Sequence, residues 1–451
     1  MTTPIAVDVQ ALIARPSLGR LQKMVLFLGF SIIALEGFDI AALGFIAPVL
    51  KQQWHVSNQA LGPALSAAQI GLVLGAISAG PMADRFGRKL MLLISVAVFG
   101  LFTLLTSVAA DVPQLILLRL LTGIGVGSVV PNAATLVSEY VPERMRSLSV
   151  GFIVCGVAFS SACAGFLSAW MIPSFGWRSV FLLGGLTSLL MLPVLWRLLP
   201  ESLIFLVANR APDSRIRAVV ERMEPGKTSA GSVFAASAEP DTGGGKLVFS
   251  KAYRLGGLML WLAYFSALFA SNMLSSWMPT LIKETGYSLS YAATVTGVYQ
   301  LGGVGGALFL GWTMDRGNMH RVASAAYFAS AALFLGFALA LHSTSLMMVE
   351  AFALGFCLLG AICCINALPT AFYPTKARAT GSSWMHGAGR CGALLSIFSG
   401  AQMLTMGWSA KWVFMVLMAP ALAAGLALLV KGRYAPGSSV SVGRPKSLLV
   451  G

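Results

Sequence analysis

Residues 69–85 read QIGLVLGAISAGPMADR, and residues 300–316 read QLGGVGGALFLGWTMDR. Gln69, Gly71, Gly75, Gly80, Asp84 and Arg85 of the first stretch return in the second as Gln300, Gly302, Gly306, Gly311, Asp315 and Arg316, each displaced by 231 positions. The same shift carries Pro48 onto Pro279. Six identities at one offset are hard to obtain by accident, so the chain is an internal repeat whose unit is about half its length. Each copy is a glycine-rich apolar run that ends in an Asp-Arg pair, as a membrane helix does when it emerges into a charged loop.

Composition agrees. Of 451 residues, 57% are hydrophobic and 10% charged, and the mean hydropathy is +0.80. Soluble domains carry about 25% charged residues. About twenty apolar residues cross a bilayer core, and apolar runs between polar breaks predict twelve helices. They lie near 22–50, 60–82, 90–110, 113–138, 147–172, 178–199, 254–282, 290–314, 321–342, 346–371, 379–405 and 411–432. The expected fold is an all-α integral membrane protein of twelve transmembrane helices in two six-helix repeats. A cytoplasmic arm (1–20) leads into the first bundle (21–199). A polar linker (200–252), with one or two short surface helices around 203–223, joins it to the second bundle (253–432). A Ser/Gly/Pro-rich tail (433–451) is expected to be disordered. Parallel repeats related by an axis along the membrane normal place a substrate site between the halves, near the midplane.

The net charge of +15 could suggest a nucleic-acid partner until the cations are placed. Twenty-five of the 31 Lys and Arg fall in the termini and in alternate loops, and the intervening loops hold only Lys51, Arg178, Lys283 and Lys411. That alternation follows the positive-inside rule and puts both termini in the cytoplasm. The basicity therefore reports topology, and no nucleic-acid partner is expected. All six Cys lie in apolar segments, without disulfide or metal-ligand spacing. No metal, cofactor, nucleophile–base pair or phosphate-binding glycine run is implied, so enzymes and sensors are poor readings. No cleavable signal peptide is visible.

The remaining charges lie inside the apolar runs. Leu35-Glu36-Gly37-Phe38-Asp39 sits mid-span in the first helix. Each carboxylate there costs roughly 2.5–3.5 kcal/mol on insertion scales. At i and i+3 the two share one face, which must turn to other helices or to a wet cavity. Arg119 enters the fourth helix about 10–12 Å from its outer end and needs an anionic partner; Glu36 and Asp39 are the candidates by depth. A permanent structural bridge and a bridge broken by a proton or a substrate both fit. Arg390, about twelve residues into the eleventh helix, is the candidate for gripping a substrate carboxylate through two parallel hydrogen bonds. The surrounding Gly387, Gly389 and Gly392 would open space for a ligand. His386, one turn earlier, reads either as a hydrogen-bonded packing residue or as a proton relay and hydroxyl partner. Gln69, Gln300, Asn272, Tyr264, Trp384 and Asn366, with Phe265 and Trp277, could supply an apolar slot and hydroxyl partners.

Gly80-Pro-Met-Ala-Asp84-Arg85-Phe-Gly87-Arg88-Lys89 resembles the loop signature of the major facilitator superfamily, and Gly311-Trp-Thr-Met-Asp315-Arg316 its second copy. Arg119-Leu-Leu-Thr-Gly123-Ile-Gly125 and Pro200-Glu201-Ser202 are similar to its fourth-helix and sixth-helix motifs. Glu36-Gly37-Phe38-Asp39 running to Pro48, Pro131-Asn132 to Tyr140, Ser276-Trp277-Met-Pro279, and Tyr373-Pro374 to Gly381 resemble the aromatic acid:proton symporters, of the 4-hydroxybenzoate/protocatechuate type. That type usually has Asp where Glu36 stands, and an apolar residue where His386 stands.

The resemblance implies a monomeric bacterial inner-membrane carrier. It would import a small aromatic carboxylate with protons, by alternating access. Asp39, Glu36 and Arg119 would couple the proton, and Asp84, Arg85, Arg88, Asp315, Arg316, Arg144, Glu139, Arg378 and Gly80 would form a cytoplasmic gate. In that gate Asp84 would accept hydrogen bonds from a helix N-terminus and Glu139 would pair with Arg144. Import of a hydroxyphenylpropionate is an alternative, as is a proton-driven exporter of amphipathic compounds. Exporters usually have a Gly-Pro pair in the fifth helix, which Gly151–Gly165 lacks. A uniporter of neutral solutes would not need four buried charges.

Overall fold

The computed structural model describes residues 6–8, 18–209, 211–223, 233–235, 245–373 and 375–433. Most of the expected arm, parts of the linker, and the tail after residue 433 lie outside the described residues.

Among the described residues, twelve helical crossings follow one another. In the first half they are α1 (Arg20–Gln53), α2 (Asn58–Phe86), α3 (Arg88–Thr106), α4 (Val112–Gly127 and Val129–Tyr140), α5 (Glu143–Phe175) and α6 (Arg178–Leu198). In the second they are α7 (Arg254–Glu284), α8 (Leu289–Arg316), α9 (Met319–Ala340), α10 (Thr344–Ile365 and Leu368–Phe372), α11 (Thr375–Thr405) and α12 (Ala410–Val416 and Met418–Arg433). Most of the helices overrun the apolar runs by up to about a turn, because polar ends continue helically beyond hydrocarbon depth, whereas α3 stops at Thr106, four residues short of its expected end. Eleven crossings are long and apolar enough to span a membrane by composition alone. The twelfth, α11, falls short because Lys376, Arg378, His386, Arg390 and many Ser and Gly dilute it. In the linker, Leu203–Ala208 and Asp213–Met223 are helical, where short helices were expected. One departure from an all-α fold is a two-stranded parallel pairing of β1 (Ala6–Asp8) with β2 (Val233–Ala235).

The repeat shows in the caps and crossings. Ser57 Oγ accepts from Ala60 N at the start of α2, and Ser288 Oγ accepts from Tyr291 N at the start of α8, 231 positions on. Such caps satisfy amides that the first helical turn leaves free. The conserved spacing of glycines within the repeat has a packing cause. A Cβ on Gly75 of α2 would run into the Ile124 backbone of α4, and one on Gly306 of α8 into the Phe356 backbone of α10. Bare backbones let each pair cross closely, as small residues do in membranes.

Among the described residues the two halves meet firmly at one end only. There Gly62 of α2 lies against Ala401 of α11, and Gly165 of α5 against Gly297 of α8. Ser290 Oγ donates to the Ala169 carbonyl at 2.8 Å, and Lys51 pairs with Glu284 at 2.6 Å. One apolar core, with Phe45, Leu61, Met278 and Leu281, runs across both halves at this closed end. At the other end Gly80, Gly151 and Gly311, from α2, α5 and α8, have nothing within 4 Å of an added Cβ, and neither does Gly387 midway along α11. Ile77, Leu148 and Phe152 are exposed there. A second apolar core at this end, with Leu28, Ile32, Phe99 and Leu195, belongs to the first half alone. The molecule is therefore closed at the end of Lys51 and open at the end of Arg85.

Candidate functional site

Four charged side chains occupy the middle of the molecule, and the structure sorts them into two groups. Asp39 and Arg119, exposed by 3% and 1%, form a closed set inside the first half. Arg119 Nη1 lies 3.1 Å from both carboxylate oxygens of Asp39. Its Nη2 donates to Thr106 Oγ1 at 2.7 Å and to Thr122 Oγ1 at 3.1 Å. Thr103 Oγ1 donates to Asp39 Oδ1 at 2.5 Å. The Phe181 ring covers the guanidinium, 4.7 Å from its carbon. Hydrogen bonds from both terminal nitrogens of Arg119 are what make such a pair tolerable out of water, while its Nε is buried without a partner. The threonines and Phe181 carried no sequence signal, because each is an ordinary member of an apolar run.

Glu36 stands apart from Arg119. It is 3% exposed, one turn from Asp39, and its Oε2 has no hydrogen-bond partner. Arg390, from the other half, is the cation within electrostatic reach of it, and no direct ion pair joins them. Tyr264 of α7 completes the surroundings of Arg390. Its ring meets the His386 ring edge-on with centroids 5.2 Å apart, and Asn366 lies beside its hydroxyl. Gly389 admits the Tyr264 ring and Gly392 the Phe265 backbone, so these glycines serve helix approach; only Gly387 borders open space. A carboxylate, a guanidinium, an imidazole, a phenol and an amide thus converge between the halves. That set can hold an organic anion and exchange a proton.

The other polar candidates lie on the seam or away from it. Gln69 Nε2 donates to Asn272 Oδ1 at 3.3 Å, across the halves. Gln300 Nε2 donates to Ser275 Oγ at 3.2 Å within the second half. Trp277 Nε1 donates to the Ile397 carbonyl, a packing contact. Trp384 is not part of the site: two residues before His386, it turns to the opposite face, where it stacks on Trp261 and meets Phe249.

At the open end Arg88 pairs with Asp84 at 2.9 Å and with Glu139 at 3.6 Å, all within the first half. The N-terminus of α3 is received by Glu201, whose Oε1 accepts from the Arg88 and Lys89 amides, and Arg144 is exposed. Arg85 lies against Phe86 and Arg316 over Trp312. The side chains of Asp315 and Arg378 lie outside the described residues.

These features have known counterparts. The model of the Major Facilitator Superfamily matches residues 29–397 and 260–449. The gallate transporter of Pseudomonas putida is 44% identical over 94% of this chain and 95% of its own. The 4-hydroxybenzoate transporter PcaK of Pseudomonas aeruginosa is 42% identical over 94% and 96%. A crystal structure of a D-xylose-proton symporter superposes with a TM-score of 0.70 at 17% identity, covering 92% of this chain and 98% of that one, which is a likeness of fold. The chain belongs to the major facilitator superfamily. That makes it a membrane transporter and not an enzyme.

Proposed function

We propose that the chain is a proton-coupled importer of a hydroxybenzoate-type aromatic carboxylate, such as 4-hydroxybenzoate, protocatechuate or gallate. It would work by alternating access, as a monomer in a bacterial inner membrane. The observation that carries this reading is that Glu36 of one half, buried without a partner on Oε2, lies within electrostatic reach of Arg390 of the other, whose neighbours are Tyr264 and His386. The names of the two near full-length relatives support the substrate class. The excess of Lys and Arg at the open end supports a cytoplasmic opening, with both termini on that side.

In the empty carrier Glu36 stands in for the substrate anion opposite Arg390. An arriving carboxylate takes the guanidinium in a two-bond grip, and Glu36 is relieved by taking a proton. Tyr264 offers an aromatic wall, and His386 and Asn366 offer partners for ring hydroxyls. An anion imported against an inside-negative potential is opposed by about 2.3 kcal/mol per 100 mV. One accompanying proton removes that opposition. Gln69 and Asn272 keep the seam, and Gln300 braces Ser275 within the second half. Gly80, Asp84, Arg85, Arg88, Glu139, Arg144, Asp315, Arg316 and Arg378 form the end that closes in the opposite state.

A binding screen of benzoate, 4-hydroxybenzoate, protocatechuate, gallate and 3-hydroxyphenylpropionate against purified protein tests the reading. At least one hydroxybenzoate should bind, and Arg390→Gln should abolish that binding. Binding of none, or binding that survives Arg390→Gln undiminished, rules the reading out.

A further inference from the structure

At the closed end, on the outer surface of the molecule, α2 and α11 leave a groove of about 680 Å³ between them. Gln59 and Pro63 of α2 form one wall and Phe398 and Gln402 of α11 the other, with Met406 and Trp408 at the rim. Its volume lies within the roughly 300–1,000 Å³ of small-molecule sites. The floor is the seam itself, where a Cβ on Gly62 would lie 3.0 Å from that of Ala401. The groove therefore continues the contact between the halves outward, towards the bilayer that both helices cross.

The two walls carry the same gradient of polarity. Gln59 stands in the first turn of α2 and Gln402 in the last turn of α11, both exposed. Four residues further in, about 6 Å nearer the membrane centre, stand Pro63 and Phe398, also exposed. Met406 and Trp408 extend the apolar surface past the end of α11, and Trp is a residue that settles at headgroup level. Every side chain on the walls is uncharged. Neither Gln side chain has a hydrogen-bond partner among the described residues. An amide at the edge of hydrocarbon gains from any partner that lipid can supply. A phospholipid repeats this order, with ester carbonyls that accept hydrogen bonds at the boundary and a chain below them.

We propose that the groove is a phospholipid site. The Gln59 and Gln402 amides donate to the ester carbonyls of one lipid, and its acyl chain lies against Pro63 and Phe398. Walls without charge fit the neutral ester region and leave the phosphate in water at the rim. Bulk lipid is as apolar as these walls, so burial alone gives no preference for the groove. The amide–ester hydrogen bonds and the close fit between two helices supply it. Because each half contributes one wall, the groove exists only while this end is shut. A lipid seated in it binds the observed state better than the parted one, and draws the equilibrium towards the observed state. The effect on the equilibrium rests on the alternating-access part of the reading above, and not on the cargo.

Phosphatidylethanolamine with a dibrominated acyl chain, titrated into the purified full-length protein in lipid-free dodecyl maltoside, tests the site. Bromine quenches nearby indoles, and the emission lost in Trp408→Phe is that of Trp408. In the parent this component should fall along a saturable curve. Gln59→Leu combined with Gln402→Leu should need at least fivefold more lipid for the same quenching. So should the parent when titrated with the ether-linked analogue, which lacks the ester carbonyls. Ser399→Phe, which fills the groove, should leave Trp408 unquenched at the parental midpoint. The bias on the equilibrium is read from spin labels on either side of the closed end. In phosphatidylethanolamine bilayers the double variant should show at least twice the parental population of long distances, and in lipid-free detergent the two should coincide. Equal quenching in the parent, the double variant and Ser399→Phe overturns the site. A dimer in detergent that Ser399→Phe separates also overturns it, because the groove would then belong to a second copy. Equal long-distance populations in bilayers overturn the bias. A protein that shows both shifts yet binds no hydroxybenzoate keeps the lipid site and loses only the substrate reading.

Discussion

Arg119 shows what a buried cation demands: a two-oxygen partner in Asp39, hydroxyls from Thr106 and Thr122, and an aromatic lid in Phe181. Removing it alone strands Asp39 in the interior, which typically costs 3–5 kcal/mol. Arg119→Met should therefore lower the thermal unfolding midpoint in detergent sharply. Adding Asp39→Asn should restore most of the loss, and a double variant no more stable than the single would contradict the pairing. Under the proposed function Arg390 is different in kind, because its anion would be supplied from outside. Arg390→Lys keeps the charge but loses the planar two-bond geometry, so calorimetric affinity for a bound hydroxybenzoate should fall at least tenfold. The charged members of both groups were legible in the sequence, since a charge inside an apolar run has no cheap alternative use. Their neutral partners were not, and neither was the side on which Trp384 lies. An aromatic serves lipid, core and pocket equally well.

Within single elements the glycines divide into two sets with different jobs. Gly75 and Gly306 lie under the backbones of Ile124 and Phe356, where a larger side chain forces helices apart. Gly75→Val and Gly306→Val should each destabilise by about 1–3 kcal/mol, read as lowered midpoints and poor yield of monodisperse protein. Gly80 and Gly311 border open space in this state. Gly80→Val should fold like the parent yet transport slowly, because its face must meet the other half when the open end shuts. Uptake at the parental rate would remove Gly80 from that face. The repeat exposed both sets at once in the sequence. It could not tell them apart, because closeness to a neighbouring helix is a property of the crossing and leaves no mark on the glycine itself. Helix ends were legible to within about a turn for the same reason: hydropathy marks hydrocarbon depth, while caps such as Ser57 and Ser288 mark where the backbone turns.

For the whole molecule, the state observed is one side of an equilibrium. The closed end is held by glycine contacts, a shared apolar core and the Lys51–Glu284 pair, whose side chains are 34% and 37% exposed. An exposed pair of this kind contributes about 0–1 kcal/mol. Lys51→Ala should leave the unfolding midpoint within a degree or two, yet shift the balance between end states up to about fivefold. Spin labels placed on either side of the closed end would register a larger population of long distances; an unchanged distribution would assign closure to the glycine contacts and core alone. Two six-helix halves could be deduced from residues 69–85 and 300–316. Which end stands open could not, because both end states are built from one sequence and differ only in which contacts are made.

Glu36 within electrostatic reach of Arg390 across the halves carries the proposed coupling, and proton movement during transport tests it most directly. With 4-hydroxybenzoate supplied outside proteoliposomes that contain a pH-sensitive dye, the parent protein should accumulate the acid and acidify the lumen. Glu36→Gln should still exchange labelled for unlabelled acid, yet neither accumulate it nor acidify the lumen. Parental accumulation and acidification by Glu36→Gln would contradict the proposed exchange of a proton on Glu36 for a carboxylate on Arg390.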